Sequence, residues 1–356
     1  MKQFKQQTFF TLLLLTCIFA ACKKDDRSSD RPELPKAERA GIYVLCEGLF
    51  NANNTSLTYY NYNDRSLVQD QFTSVNGRGL GDTGNDIKIY GSKMYIVVNV
   101  SSTLEIINPK SGASIKKIDF KNNGVGRQPR YVVFNKNKAF ISSYDGTVAV
   151  LDTASLAIEQ YIKVGRNPEE MAISNGKLYV ANSGGLDYPN YDNTVSVIDL
   201  NTLKEVKKIT VVDNPRKVAA DQYGDIYVLS TGNYSSIKPS MATIDSKTDL
   251  VKTAVDFSGG SMVINGDYAY MPASRGKVKV FNVKTEQLEK ENFITDSTKI
   301  TTTYGVAVDE LTGEVFVTDA KNYTTGGEVI CFDKDGKRKY SIPVGINPNK
   351  VVFVNK

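Results

Sequence analysis

One short phrase recurs along this chain and sets what the chain can become. An aromatic residue sits between small or apolar neighbours: Ile42-Tyr43-Val44, Met94-Tyr95-Ile96, Ala139-Phe140-Ile141, Leu178-Tyr179-Val180, Ile226-Tyr227-Val228, Ala269-Tyr270-Met271 and Val315-Phe316-Val317. The seven copies lie 39 to 52 residues apart. Each has the length and the β-branched and aromatic content of one strand. A second run follows each copy: Ser56–Tyr62, Thr103–Asn108, Thr147–Asp152, Thr194–Asp199, Met241–Asp245, Lys277–Val283 and Glu328–Asp333, most of them ending in Asp or Asn before a turn. A more polar third run comes next, as in Ser114–Phe120, Glu159–Val164, Glu205–Val212 and Lys339–Val344. Ahead of each aromatic run lies a further apolar one: Asp86–Tyr90, Arg130–Asn135, Glu170–Ser174, Lys217–Asp221, Ser261–Ile264, Tyr304–Asp309 and Lys350–Val354. Four strands in a unit of about 40–50 residues is the period of a β-propeller blade.

The chain joins this pattern at a second strand, Gly41–Cys46, and leaves it with a first strand, Val351–Val354. Pairing those two segments completes the first blade. The expected fold is all-β: a seven-bladed β-propeller of four-stranded blades over residues 41–356, its ring closed by the C-terminal strand. Composition agrees. Hydrophobic residues make up 41 %, enough for a sizeable core, and long windows with apolar residues at helical spacing are missing after the first 30 residues.

The chain has no His and no Trp. Histidine is the usual general base near neutral pH and the commonest metal ligand. A Ser-His-Asp site and a His-ligated zinc are therefore excluded. Carboxylate, Tyr or Lys chemistry and oxygen-held calcium remain open. Formal charge is +5, or +3 without Lys2 and Lys5, with both signs well mixed. No basic stripe marks a nucleic-acid binder. Cys46 and Cys331 fall inside expected strands and read as small buried hydrophobes, with a disulfide between them left open. Asp333-Lys334-Asp335-Gly336 reads as a hairpin turn rather than a calcium loop. Gly77-Arg78-Gly79-Leu80-Gly81 is followed by no helix, which a phosphate cradle needs.

The N-terminus reads as an address. Lys2 and Lys5 precede a short apolar run over Thr8–Ala21 that ends in small residues. Phe19-Ala20-Ala21-Cys22 resembles a bacterial lipobox, in which Cys22 would carry the lipid and become the first mature residue. Residues 1–21 are then a lipoprotein signal peptide, and residues 22–40 a flexible polar tether. Lys24-Asp25-Asp26 resembles the lipoprotein export signal of the Bacteroidetes. That resemblance implies an outer-membrane lipoprotein exposed at the cell surface, with the periplasmic face as the alternative. Acyl chains contribute about 0.8 kcal/mol per buried methylene, so two or three anchor a domain stably.

Lys177-Leu178-Tyr179-Val180-Ala181-Asn182 with Asn193-Thr194-Val195-Ser196-Val197-Ile198-Asp199, and the starts Asn167-Pro168, Asn214-Pro215 and Asn347-Pro348, resemble the YncE-like propellers built of YVTN-type repeats. A narrower resemblance lies at the two ends. Gly41-Ile42-Tyr43-Val44-Leu45-Cys46-Glu47-Gly48 with Leu57-Thr58-Tyr59-Tyr60, and Tyr304-Gly305-Val306 with Asp309, is similar to surface lipoprotein propellers of the Bacteroidetes. That DUF5074-like group is distantly similar to BtuG-type proteins, which capture cobalamin for an outer-membrane transporter. The Trp residues expected in the BtuG-type group are absent, and Cys46 stands where Asn is usual.

In such a disc the loops between second and third strands share one face. Here they are long and polar-aromatic: Asn51–Thr55, Asn182–Asn193 with Tyr188 and Tyr191, Thr231–Ser240 with Tyr234, and Asp319–Gly327 with Tyr323. The opposite turns are short, as at Asn175-Gly176, Tyr223-Gly224 and Thr312-Gly313. Long loops on one side mark a binding face. Blade-start residues Arg130, Glu169, Arg216, Tyr304 and Asn349 should lie nearest the axis. Arg offers a planar fork of donors and Tyr a flat face with a polar tip, which together suit a polar ligand with a ring, a corrinoid or a glycan. The expected activity is non-catalytic capture of such a small molecule beside a transporter by a monomeric propeller, with no cofactor and no metal. Two alternatives stay open: a protein-interaction or envelope scaffold, and a His-free lactonase- or lyase-like enzyme with calcium on Asp86, Asp221 and Asp309.

Overall fold

The computed structural model describes residues 38–356. The expected signal peptide, Cys22 and most of the expected tether lie outside the described residues. The remainder forms seven four-stranded antiparallel sheets, each ordered from the axis outwards. Blade 1 comprises Pro348–Asn355, Arg39–Cys46, Ser56–Asn61 and Leu67–Val68. Blade 2 is Gly84–Tyr90, Lys93–Val98, Thr103–Ile107 and Ser114–Asp119, and blade 3 is Pro129–Asn135, Lys138–Ser143, Thr147–Asp152 and Ile158–Lys163. Blade 4 is Pro168–Ser174, Lys177–Asn182, Thr194–Asp199 and Lys204–Thr210, and blade 5 is Pro215–Ala220, Asp225–Ser230, Ser240–Asp245 and Leu250–Asp256. Blade 6 is Val263–Asn265, Tyr268–Ala273, Lys277–Asn282 and Gln287–Lys290, and blade 7 is Thr303–Val308, Val315–Asp319, Gly326–Phe332 and Arg338–Ile346.

The ring closes as expected. The C-terminal strand pairs antiparallel with the first, setting Tyr43 against Val352 and Val44 against Val351. The first strand begins at Arg39, two residues before the expected Gly41, because Arg39 pairs with Asn355 and its guanidinium binds Asp309 at 2.7 Å. The propeller therefore takes in Arg39 and Ala40, residues of the expected tether.

Every blade is sandwiched between two others, so its middle strands are buried on both faces. Lys177–Asn182 and Thr194–Asp199 are accordingly apolar almost throughout, whereas the outermost Lys204–Thr210 is mostly exposed. Seven hydrophobic clusters result, one at each junction between neighbouring blades. Tyr43, Tyr95, Tyr179 and Tyr227 from the aromatic phrase are all fully buried in them, as core residues. Some tyrosines also tie blades together. Tyr179 of blade 4 donates its hydroxyl to Asp249 Oδ1 beside blade 5, at 2.6 Å. Cys46 and Cys331 share the junction of blades 7 and 1 as free, buried thiols, and burial pushes the Cys46 thiol up to about 12.

Three features were not legible beforehand. A short helix, Gln71–Asn76, packs Phe72 under blade 1 and is capped by Asp70 and by Gly77 at φ +66°. It precedes the glycine-rich stretch rather than following it. A small hairpin, Lys121–Asn122 with Val125–Gly126, stands between blades 2 and 3. The first strand of blade 6 is cut to three residues. Pro272, inside the neighbouring second strand, has no N–H to offer a ladder.

Candidate functional site

The site is built by one backbone device used around the ring. In blades 1 to 5 the residue before the first strand has a left-handed backbone: Asn347, Thr83, Gln128, Asn167 and Asn214 have φ between 43° and 61°. Asn adopts this region more readily than most residues. In four of these blades Pro follows, fixing the start of a strand whose first N–H is not needed. The ladder then slips by one residue within the next two positions, in blades 1 to 5 and in blade 7. Such a bulge re-aims side chains. It falls at Asn85, Arg130, Glu169, Arg216, Tyr304 and Asn349; all but the buried Glu169 line the rim of an axial cavity of about 1150 Å³.

Of the five blade-start residues expected near the axis, Arg130, Arg216, Tyr304 and Asn349 line the cavity and Glu169 is buried against the two arginines; they fall in two groups. Across blades 3 to 5, Glu169 is 1 % exposed and accepts from Arg130 Nε at 2.9 Å, Arg216 Nη2 at 3.1 Å and the Tyr144 hydroxyl at 2.8 Å. Burial disfavours its charge, but the two guanidinium groups outweigh this and hold the carboxyl below its usual range. Across blades 7 and 1, Glu47 accepts from the Tyr304 hydroxyl at 2.7 Å and from Asn349 Nδ2 at 2.8 Å. Burial and the Glu47 charge push the Tyr304 phenol far up. Asn349 also donates to the Gly84 and Asn85 carbonyls, which locks blade 1 to blade 2.

A second tier lies one residue further along the strands: Asp86, Tyr131, Glu170, Lys217 and Lys350. Three cations surround the buried Tyr131 ring, Lys217 at 4.7 Å, Lys350 at 5.5 Å and Arg130 at 5.6 Å from its centroid. Lys350 stands 3.6 Å from Glu170 and 3.8 Å from Asp86. Beyond this tier the cavity wall turns apolar, with Val133, Ala172, Val218, Val306 and Val352.

The tyrosines expected on the loops do share the rim face. Tyr188, Tyr191 and Tyr234 form an edge-to-face chain with centroids 6.1 Å apart at each step. Tyr323 meets Tyr304 edge-on at 5.9 Å. Tyr188 is 74 % exposed, Tyr234 66 % and Tyr323 50 %. The loop that carries Tyr188 and Tyr191 is braced, since Arg166 binds Asp187 Oδ2 at 2.6 Å and the Asn190 carbonyl at 2.9 Å. Gly184 lets it turn, at φ +56°, where a Cβ would sit 2.3 Å from the Asp192 amide.

Sequence reasoning missed Asn85, Glu47, Tyr131, Tyr144, Lys217 and Lys350. Asn85 occupies the same slot as the others but lacks a preceding Pro. Tyr144 and Glu47 directly follow second strands, a position the repeat does not flag. The three aspartates proposed for calcium do not converge: Asp86 accepts from the Val132 amide at 3.0 Å, Asp309 pairs with Arg39, and Asp221 holds its own turn at Tyr223. Among the described residues no group of three or more His, Cys, Asp or Glu is placed to hold a metal ion.

The propeller is similar in fold to a quinonprotein alcohol dehydrogenase-like protein from Bacteroides thetaiotaomicron, with a TM-score of 0.65 at 18 % identity, covering 89 % of this chain and 79 % of that one. It is also similar to hydrazine synthase from Kuenenia stuttgartiensis (TM-score 0.62, 16 % identity, 77 % of this chain and 95 % of that one). A computationally designed protein, Ika8, matches with TM-score 0.58 at 12 % identity over 88 % of this chain and 90 % of its own. At these identities the likeness concerns the fold alone. No curated protein matches the sequence. A family model does match over residues 40–353, nearly the whole propeller, so the chain belongs to the family described as a domain of unknown function, DUF5074.

Proposed function

We propose that this chain is an outer-membrane lipoprotein whose propeller captures a small, ring-bearing polar molecule, of the corrinoid or glycan kind, for a neighbouring transporter, without catalysing a reaction on it. The observation that carries the binding part is the tyrosine chain Tyr188–Tyr191–Tyr234, its two ends exposed and Tyr191 half-buried between them, on the face where Arg216 reaches the rim. Flat faces with polar tips stack on rings at low entropic cost. The rim groups behind them are held by mutual hydrogen bonds, so the surface is set before a ligand arrives. The membrane part rests on the lipobox-like Phe19–Cys22 and on Lys24-Asp25-Asp26.

Calorimetric titration of the purified full chain with cobalamins and with a glycan panel tests the reading. Tyr188→Ala with Tyr191→Ala should weaken binding at least tenfold, while stability stays within about 0.5 kcal/mol, as for other surface changes. Absence of heat with every ligand would sink it. Cys22→Ser should move the protein from the membrane to the soluble fraction. A second reading, a protein-docking disc, draws on Phe50, Leu186 and Ile237, which are exposed on the same face. Cross-linking on intact membranes separates the two.

A further inference from the structure

The charges around the axis are not equally matched. Glu169 is taken by two arginines and Tyr144, and Glu47 by Tyr304 and Asn349. Asp86 and Glu170 share Lys350. Lys217 is left over. Its ammonium donates to the Tyr131 hydroxyl at 2.5 Å and, among the described residues, has no carboxylate within 4.0 Å. A cation facing a cavity in that state has two further N–H donors unused and no carboxylate in direct contact.

Its neighbour in sequence adds to this. The bulge in blade 5 separates Arg216 from the regular ladder, and both Arg216 and Lys217 line the axial cavity. Arg216 makes one hydrogen bond to Glu169, and its side chain is 37 % exposed. Thr231, which opens the loop bearing Tyr234, lines the same wall. The Arg216 charge acts on the phenols of both Tyr191 and Tyr234. Arg216, with donors to spare, thus stands at the foot of the tyrosine chain, and Lys217 lies one residue further along the same cavity wall. Arg in this setting matches the planar two-oxygen geometry of a carboxylate.

We infer that Arg216 and Lys217 form an anion-recognising corner of the binding face, so that the ligand carried by the tyrosines bears a carboxylate, as an acidic sugar does. This rests on the ligand-capture reading and narrows it to one chemical class. The ring would lie on Tyr191 and Tyr234, and its carboxylate would reach down to the unused donors of blade 5. Glu169 keeps Arg216 oriented, but its single negative charge is shared among Arg130, Arg216 and Lys217, which leaves this corner with an excess of positive charge.

The test uses the full chain and a matched pair of probes, oligogalacturonate and its methyl ester, which differ in charge but hardly in shape. The acid should bind at least tenfold more tightly than the ester. Its affinity should fall as sodium chloride rises from about 50 to 500 mM, with no such trend for the ester. Lys217→Met should bring the acid down to the level of the ester. If that variant does not fold, Lys217→Gln and the salt series on the unaltered chain carry the same readout. Equal affinity for acid and ester overturns the inference, as does binding of neither probe. Neutral glycan or cobalamin binding that is lost in the Tyr188→Ala, Tyr191→Ala protein would, in either of those cases, leave the broader reading standing.

Discussion

Blades 3 to 5 and blade 6 start from the same four-strand plan and end differently at the axis. Blades 3 to 5 each begin with a left-handed residue, a proline and a bulge, and each places a charged side chain there: Arg130 and Arg216 on the rim and Glu169 buried between them. Blade 6 has Gly259-Gly260-Ser261 in that place and a first strand of three residues, Val263–Asn265. Its second strand holds Pro272, and Gly260 donates instead to the Pro272 carbonyl. The outcome is a gap in the rim, opening on a cleft of about 340 Å³ lined by Arg275, Thr301 and Tyr323. The difference teaches that a rim residue needs more than a blade. It needs an intact first strand and a bulge to turn the side chain inwards.

The strongest way to break this comparison is to make blade 1 poorer than blade 6. Deleting Asn347–Lys356 removes its whole first strand and uncovers Val44 and Ile42 at the junction with blade 7. We expect loss of the cooperative unfolding transition, read by circular dichroism on heating. A deletion protein that melts like the parent would show that blade 1, too, tolerates a missing strand.

Next in size is Glu169→Gln, which leaves Arg130 and Arg216 around a neutral amide. Breaking a buried pair from one side costs about 3–5 kcal/mol, and the partial exposure of Arg216 puts this case at about 3 kcal/mol. Urea denaturation at pH 7 measures it. The sign with pH follows from the lowered carboxyl of Glu169. Its contribution is present above the unfolded carboxyl value, about 4.3, and is lost as pH falls through the lower folded value. The gap between parent and variant should therefore shrink below about pH 4. A gap that persists in acid would mean that shape, not charge, is what Glu169 supplies.

Two glycines sharpen the contrast at the smallest scale. A Cβ on Gly305, in the bulge of blade 7, would sit 2.3 Å from the Asn349 carbonyl and 3.2 Å from Thr318 Oγ1. Gly305→Ala should cost about 1–3 kcal/mol, as overpacking does. A Cβ on Gly260, in blade 6, would meet nothing within 4 Å. Gly260→Ala should stay within about 0.5 kcal/mol of the parent. Differential scanning calorimetry of the pair checks both, and equal losses would contradict an open rim at blade 6.

By itself, the sequence determined the blades, their number and the closure of the ring. Each rests on local alternation of apolar residues, repeated along the chain. It also pointed to Arg130, Glu169, Arg216, Tyr304 and Asn349, because Asn-Pro starts and their equivalents mark where first strands begin. Only the tertiary structure decided what those residues do. Glu169 finds Arg130 and Arg216 on neighbouring blades, 39 and 47 positions away, and Tyr304 finds Glu47 at 257. Lys217 meets Tyr131 across 86 residues. No local pattern encodes such distances, since they are set by how far the ring turns from blade to blade. Ring curvature brings the first strands side by side, and a one-residue bulge settles which of two adjacent side chains faces the axis.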